Sequence, residues 1–124
     1  MINLSKEQVT ELHNKIIAST GGVGGLASEA LLDSALSSAL QTFDSKELYS
    51  TTITKIARIT YNIIKNHPFV DGNKRTGIYV MLVLLNLNRI EVTLDNKEIV
   101  HIGESIADGT MNYTELVAYI LEHC

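Results

Sequence analysis

Apolar residues recur three or four positions apart along most of the chain, and this spacing predicts six helices. The sequence pairs Ser5 with Gln8, Asp95 with Glu98 and Asn112 with Glu115 are typical of capped helix starts. The predicted helices cover Ser5 to about Ser19, about Ser28 to Leu40, about Thr51 to Lys65, Asn73 to Leu87, Asp95 to Asp108, and the residues from Asn112 onward. The pattern therefore predicts an all-α fold, a compact helical bundle in one domain spanning residues 1–124.

The apolar positions of these helices form the predicted core. In Ile78–Leu87 they occupy every face, so this helix is predicted to lie in the middle of the bundle, covered by the others. The other predicted inward residues are Val9, Leu12, Ile16, Leu31, Ala35, Ala39, Ile53, Ile56, Ala57, Ile63, Ile64, Ile99, Ile102, Ile106, Leu116, Val117, Ile120 and Leu121. Many are β-branched and are also compatible with strands, but the caps and the helical spacing favour helices.

Three segments interrupt the helical pattern. Four glycines within Thr20–Gly25 predict a loop, because so many glycines make a helix entropically unfavourable. Gln41–Ser50 is polar and turn-prone, and could hold a small hairpin or flap. Arg89–Thr93 is predicted to be a short extended connection.

Composition limits the classes of function. The 124 residues are 45% hydrophobic, contain no apolar run of membrane-spanning length and begin with a polar segment unlike a signal peptide, so we expect a cytoplasmic protein. The only cysteine, Cys124, excludes an internal disulfide and suits a reducing compartment. A net charge of −4 argues against broad binding to nucleic acid.

Candidate chemistry is concentrated in Asn66–Thr76, where the helix that begins at Asn73 carries Lys74 and Arg75 in its first turn. Cations at this end oppose the helix dipole, each at a cost of about 0.3–1 kcal/mol. A bound anion would reverse that cost, and Gly72 would let it approach the backbone. The sequence therefore predicts a phosphate site at this helix start.

Two residues beside the predicted phosphate site are candidates for chemistry. His67 is a candidate general base, because imidazole can accept a proton near neutral pH, and Pro68 fixes the bend that follows it. Asp71 could be a turn residue, but one carboxylate beside phosphates is also a typical magnesium ligand. Phe69 is predicted to anchor the loop in the core.

Other motif-like features predict no chemistry. Gly22–Ala27 fits the G-x-G-x-x-A dinucleotide pattern, but no strand precedes it and no strand–helix repeat surrounds it. No lysine follows these glycines, so they do not form a P-loop. His13, His101 and His123 have no neighbouring metal-ligand spacing, and we expect them to be surface or packing residues.

The segment His67–Thr76, HPFVDGNKRT, resembles the H-x-F-x-[DN]-[AG]-N-K-R signature of the death-on-curing (Doc) toxins of the Fic superfamily. The resemblance extends to the small size of the chain, the glycine loop and the apolar helix after the motif. It implies an all-helical Fic fold and a Doc-type toxin of a type II toxin–antitoxin system. Such a toxin is a protein kinase that transfers the γ-phosphoryl group of ATP to a threonine of elongation factor Tu and inhibits translation.

The resemblance also implies roles for individual residues. His67 would accept the proton of the attacking hydroxyl, and Asp71 would hold Mg²⁺. Asn73, Lys74 and Arg75 would clamp phosphate oxygens that approach the backbone at Gly72. Residues 41–50 would correspond to the flap that positions the target.

Departures from the family pattern leave alternatives open. Fic members that transfer AMP read H-P-F-x-x-G-N-G-R-x-x-R, whereas Lys74 and Ile78 replace a glycine and the last arginine here. This favours the Doc-type arrangement, with the nucleotide reversed, although Pro68 and Gly72 match the AMP-transferring pattern. The alternatives are a protein adenylyltransferase and a non-catalytic module that binds an anion or a partner.

Inhibition is expected to come from another molecule. The chain lacks the self-inhibitory [ST]-x-x-x-E-[GN] motif of some Fic proteins. The resemblance therefore implies a cognate, Phd-like antitoxin whose C-terminal segment folds onto this protein.

Overall fold

A computed structural model describes the whole chain, Met1–Cys124, and its six α-helices confirm the all-α prediction. The helices are α1 (Lys6–Thr20), α2 (Glu29–Ser37), α3 (Thr52–Asn66), α4 (Asn73–Leu87), α5 (Asn96–Asp108) and α6 (Tyr113–Glu122). A 3₁₀ turn, Ser38–Leu40, extends α2, and a hairpin of β1 (Thr42–Phe43) and β2 (Lys46–Glu47) follows it. None of the helices combines the length and apolar character that a bilayer-spanning segment requires.

Side-chain caps define most helix starts. The side chains of Ser5, Asp95 and Asn112 each accept a hydrogen bond from the backbone N–H three residues later, and the side chain of that later residue accepts one from the backbone N–H of the cap. These three predicted capping boxes are confirmed, and α3 has another at Thr51. Each such cap contributes about 1 kcal/mol to helix stability.

The centre of the bundle is shared between α3 and α4. Helix α3 packs against α2, α4, α5, α6 and the 3₁₀ turn, whereas α4 packs against α1, α3 and α5. The two helices come close at Gly77, where an added Cβ would lie 2.6 Å from Cγ1 of Ile64. A glycine therefore lets the two apolar helices pack closely at this level.

Some details of the predicted core were wrong. Tyr79 is 49% exposed, so one face of α4 is not covered by another helix. Leu31 and Leu121 are also exposed, because the buried faces of their helices follow a different i, i+4 register. The buried core residues that the sequence pattern did not single out are Leu32, Leu36, Ile59 and Met111.

The segment Gln41–Ser50 forms the hairpin that the sequence allowed. Its turn residues Asp44 and Ser45 have φ angles of 54° and 64°, as in a tight two-residue hairpin turn. Lys55, in the first turn of α3, donates hydrogen bonds to the carboxylate of Glu47 at 3.1 Å and to the Tyr49 carbonyl. His67 follows Lys55 by twelve positions along the chain, about 18 Å at the helical rise.

The Arg89–Thr93 connection contains no assigned strand. Its backbone N–H at Thr93 donates to the His123 carbonyl at 2.8 Å. The connection is therefore tied to the end of α6, although no sheet forms.

Candidate phosphate-binding and catalytic site

The motif loop joins the end of α3 to the start of α4 through two left-handed residues. His67 has φ 51° and ψ 61°, and Gly72 has φ 75° and ψ 20°. His67 is exposed at the loop surface. The loop thus turns sharply at each end, which sets the histidine beside the first turn of α4.

The six predicted site residues come together around one depression of about 230 Å³, which we call the motif depression. Val70 is the only other residue that lines it. The predicted residues are His67, Asp71, Gly72, Asn73, Lys74 and Arg75. The structure therefore places the proposed base, carboxylate and cations at one surface feature, while their chemical roles stay predictions.

Helix α4 begins without a side-chain cap, because the residue at its N-cap position is Gly72. No hydrogen bond within the protein uses the backbone N–H groups of Asn73, Lys74 and Arg75. These donors, the positive end of the helix dipole and two cations are suited to an anion such as phosphate.

The side chain of Asn73 is turned inward, although the sequence suggested that it would face a phosphate. Its Oδ1 accepts from the Phe69 N–H at 3.0 Å, and its Nδ2 donates to the Phe69 carbonyl at 2.9 Å. The carboxamide therefore holds the motif loop together. Only the backbone N–H of Asn73 remains available to an anion at the helix start.

Asp71 accepts two backbone hydrogen bonds, one from the glycine loop and one from its own neighbour, and both favour its ionised form. Its Oδ2 accepts from the Val23 N–H at 3.1 Å, and its Oδ1 accepts from the Gly72 N–H at 2.8 Å. These two backbone donors, Val23 first, lower the pKa of the Asp71 carboxyl below its ordinary value. An ionised carboxylate is the form that binds a metal, and its oxygens keep unused lone pairs.

The donor set suits magnesium better than a metal held by protein alone. No group of three or more metal-ligating side chains exists in the structure. Magnesium needs no such cluster when one carboxylate is supplemented by phosphate and water oxygens. Asp71 is therefore compatible with a magnesium that arrives with a nucleotide.

The glycine loop after α1 is a structural partner of the motif loop. Gly22 has φ +115°, and a Cβ there would lie 2.7 Å from Oδ2 of Asp71. The Gly25 carbonyl accepts from the Val70 N–H at 3.0 Å, while the Pro68 carbonyl accepts from the N–H groups of Ala27 and Ser28. The loop prediction is confirmed, and the glycines let the backbone approach the Asp71 carboxylate.

His13 supports the same loop from α1, a role that no sequence pattern indicated beyond the expectation of a surface or packing residue. Its ring is 1% exposed and stacks on Phe69 with centroids 3.9 Å apart and planes 8° apart. Its Nε2 donates to the Asp71 carbonyl at 2.7 Å. Phe69 itself is 2% exposed, which confirms that it anchors the loop in the core.

The two cations differ in how they are held. Arg75 donates to the hydroxyl of Thr20 and, at 3.3 Å, to the Gly21 carbonyl. Lys74 is exposed and forms no salt bridge. Arg75 is therefore fixed against the end of α1, whereas Lys74 is free to move toward an anion.

A second, larger concavity adjoins the first. It lies between α4 and α5, has a volume of about 570 Å³, and is called here the α4–α5 groove. Apolar atoms of Ile78, Tyr79 and Leu82 form its α4 side, and the exposed face of Tyr79 belongs to it. Lys74 and Arg75 line both concavities, whereas His67 lines only the motif depression.

An all-α domain with an open, cationic helix start beside an exposed histidine and a carboxylate is suited to bind a phosphate group next to a side chain that can accept a proton. The Fic/DOC family model matches residues 3–85, about two thirds of the chain. The protein therefore belongs to the Fic/DOC family, whose members are typically transferases that act on proteins and generally use ATP. No curated protein matches the sequence.

Proposed function

We propose that this protein is a Doc-type kinase, the toxin of a type II toxin–antitoxin system, which uses Mg²⁺ and ATP to phosphorylate a hydroxyl of a target protein. The main support is the arrangement of the two concavities. Lys74 and Arg75 lie where the motif depression and the α4–α5 groove meet, with His67 on one side only. This order suits a nucleotide whose terminal phosphate faces the histidine.

The α4–α5 groove is the proposed site of the nucleoside. Its volume of about 570 Å³ is within the usual range for small-molecule sites, and its lining is partly apolar with the Tyr79 ring exposed. The triphosphate would then cross the start of α4, where the backbone N–H groups and Lys74 can contact its oxygens. The γ-phosphate would lie in the motif depression beside His67.

The chemistry follows from these positions. His67 would accept the proton of the target hydroxyl as its oxygen bonds to the γ-phosphorus, while the bond from that phosphorus to the bridging oxygen breaks and ADP leaves. The backbone N–H groups at the start of α4 would stabilise charge on the phosphoryl oxygens, together with the side chains of Lys74 and Arg75. Asp71 would hold Mg²⁺, which neutralises phosphate charge when bound.

The target and the inhibitor are parts of the same proposal. A threonine of a translation factor, elongation factor Tu or a similar protein, would be the acceptor, so the reaction would stop translation. A Phd-like antitoxin would inhibit the protein. Support for both is the motif resemblance and membership of the Fic/DOC family.

Intact-mass analysis tests the activity directly. The protein would be incubated with ATP, Mg²⁺ and purified translation factors, with a parallel sample lacking Mg²⁺. We expect one target to gain the mass of one phosphoryl group only when Mg²⁺ is present. If no factor gains mass, and cells expressing the protein without a partner grow normally, the proposal is wrong.

Transfer of AMP is the second candidate reaction. Pro68 and Gly72 match the AMP-transferring pattern, and Gly72 leaves the start of α4 open to an α-phosphate as well as a γ-phosphate. In that case the same mass experiment would show a gain of one AMP without a phosphoryl gain. Lys74 and Ile78, which replace the glycine and the last arginine of that pattern, favour the reversed nucleotide, and therefore the kinase.

A further inference from the structure

We propose that His13 is a positioning residue that orients the Asp71 carboxylate through the peptide bond between Asp71 and Gly72. This inference deepens the proposed function, because it names a residue outside the motif that the same site would depend on. It is carried by one hydrogen bond, one ring stack and one unpaired nitrogen of the buried His13 ring.

The hydrogen-bond roles of His13 are determined by its partner. The Asp71 carbonyl can only accept, so the Nε2 of His13 carries the hydrogen in their 2.7 Å bond. The other ring nitrogen, Nδ1, is buried and has no hydrogen-bond partner. A buried, unpaired acceptor is unfavourable, and phenylalanine would stack on Phe69 without that cost. Packing alone therefore does not account for a histidine here, whereas its N–H donor does.

The peptide bond that His13 contacts controls the carboxylate. A peptide unit is planar, so a constraint on the Asp71 carbonyl also sets the direction of the Gly72 N–H at the opposite edge. That N–H donates to Oδ1 of Asp71 at 2.8 Å. The same peptide leads into the first turn of α4, since Gly72 is its N-cap residue. By holding the carbonyl, His13 therefore orients both the proposed magnesium ligand and the entry to the phosphate site.

The ring stack adds a second constraint on the loop. His13 covers Phe69 face to face, and Asn73 binds the Phe69 backbone on both its N–H and its carbonyl. The loop is thus held at Phe69 and at Asp71 by one side chain of α1. A substitution that keeps the stack and removes the donor separates these two effects.

Two variants separate the effect of the His13 hydrogen bond from the effect of its ring stack. His13→Phe keeps a flat ring for the stack and loses the N–H donor, whereas His13→Gln keeps an amide donor at a similar reach and loses the ring. Val9→Ala is the control for general destabilisation, because Val9 is a fully buried residue of α1 whose side chain makes no hydrogen bond. The measurement is amide hydrogen exchange at Gly72 and Val23, whose N–H groups bind the Asp71 carboxylate.

In His13→Phe we expect exchange at Gly72 and Val23 to be about tenfold faster than in the unsubstituted protein, the effect of losing one hydrogen bond. In His13→Gln both amides should exchange near the original rate. In Val9→Ala exchange at these two amides should rise no more than at other amides of the protein. Unchanged exchange in His13→Phe would overturn the proposal. If that variant does not fold, fast exchange at these amides in a folded His13→Gln overturns it, and slow exchange supports it.

A kinetic measurement extends the test to activity. His13→Phe should raise the Mg²⁺ concentration for half-maximal phosphoryl transfer about tenfold, with a smaller change in kcat, and His13→Gln should restore it. Equal Mg²⁺ dependence in His13→Phe and the unsubstituted protein would contradict the positioning role. If the unsubstituted protein transfers no phosphoryl group, the proposed function fails, while the exchange measurement still decides the role of His13.

Discussion

Helix α4 begins differently from the other five helices of the protein. Helices α1, α3, α5 and α6 begin with capping boxes, and α2 is capped by the side chain of Ser28. Helix α4 begins at a left-handed glycine with no side-chain cap and carries no acidic residue in its first turn. We call the five capped starts closed, because a side chain binds one of their free N–H groups, and the α4 start open, because its first three N–H groups have no partner within the protein.

The energies of the two arrangements explain what this difference costs. A side-chain cap is worth about 1 kcal/mol, and each cation at a helix start opposes stability by about 0.3–1 kcal/mol. Helix α4 therefore gives up about 2 kcal/mol relative to a capped start with acidic residues. Its buried residues, eight of the fifteen in the helix, compensate by packing in the core. Helix α4 remains stable without a side-chain cap because tertiary packing stabilises it.

The largest expected effect tests whether the open start serves catalysis. Replacement of the exposed His67 by alanine should lower phosphoryl transfer by about 10²–10⁴-fold, because the general base is lost. Nucleotide binding should be retained. The measurement is the rate of target phosphorylation, beside nucleotide affinity from calorimetry.

The left-handed backbone of His67 requires a second variant. His67→Asn should give the same loss of transfer, because asparagine tolerates the φ angle of 51° but does not act as a base. A protein that only binds an anion or a partner would be indifferent to both changes. Retained transfer in His67→Asn would remove the histidine from the mechanism.

The next effect tests whether the open start binds phosphate. Lys74→Ala should weaken nucleotide binding about 10–100-fold, the usual range for a charge-assisted hydrogen bond, and should also lower transfer. Lys15→Ala removes the same charge from an exposed position outside both concavities, and should leave binding unchanged. Calorimetric titration with ATP and Mg²⁺ measures both. Equal affinities would argue against a phosphate site at α4.

A smaller effect is expected at a closed start. Asp95→Ala removes the cap of α5 and should lower the free energy of unfolding by about 1 kcal/mol, or the Tm by about 3–5 °C. Phosphoryl transfer by the folded protein should not change, because Asp95 lines neither concavity. Thermal unfolding and transfer rates are the two measurements. A loss of activity larger than the loss of folded protein would show that the closed starts also serve the site.

The smallest expected effect is a pH dependence of stability, which arises where His123 at the end of α6 meets Glu98 in the first turn of α5. The Tyr119 carbonyl accepts from one ring nitrogen of His123, and the Glu98 carboxylate pairs with the other, so the pKa of His123 is raised. The folded state thus holds this proton more tightly than the unfolded chain. The stabilisation is complete below the unfolded histidine pKa and is lost as pH rises through the raised value.

Thermal unfolding across this pH range measures that effect. We expect a small fall in Tm with rising pH that is reduced in His123→Gln, and no parallel change in nucleotide affinity at the α4 start. An identical pH profile in the variant would show that another group causes the fall.

Local sequence determined the helices and most of their boundaries. Capping boxes connect residues three positions apart, and the amphipathic pattern connects residues three or four apart, so short stretches carry these signals. The same locality made the motif visible, because the histidine, carboxylate and cations lie within nine residues of one another. The unfavourable positive charge of Lys74 and Arg75 at the α4 start was also visible, because judging it against the helix dipole requires only the position of the helix start.

Only the tertiary structure decided how the motif is held. The glycine loop and His13 are about fifty residues away from Asp71 in sequence, so their contacts with it had no local pattern to predict them. Likewise, the inward turn of Asn73 depends on where Phe69 enters the core, and the α4–α5 groove depends on how these two helices pack together. Local interactions specify which segments are helices, but the geometry of the site arises from packing between segments that are distant in the chain.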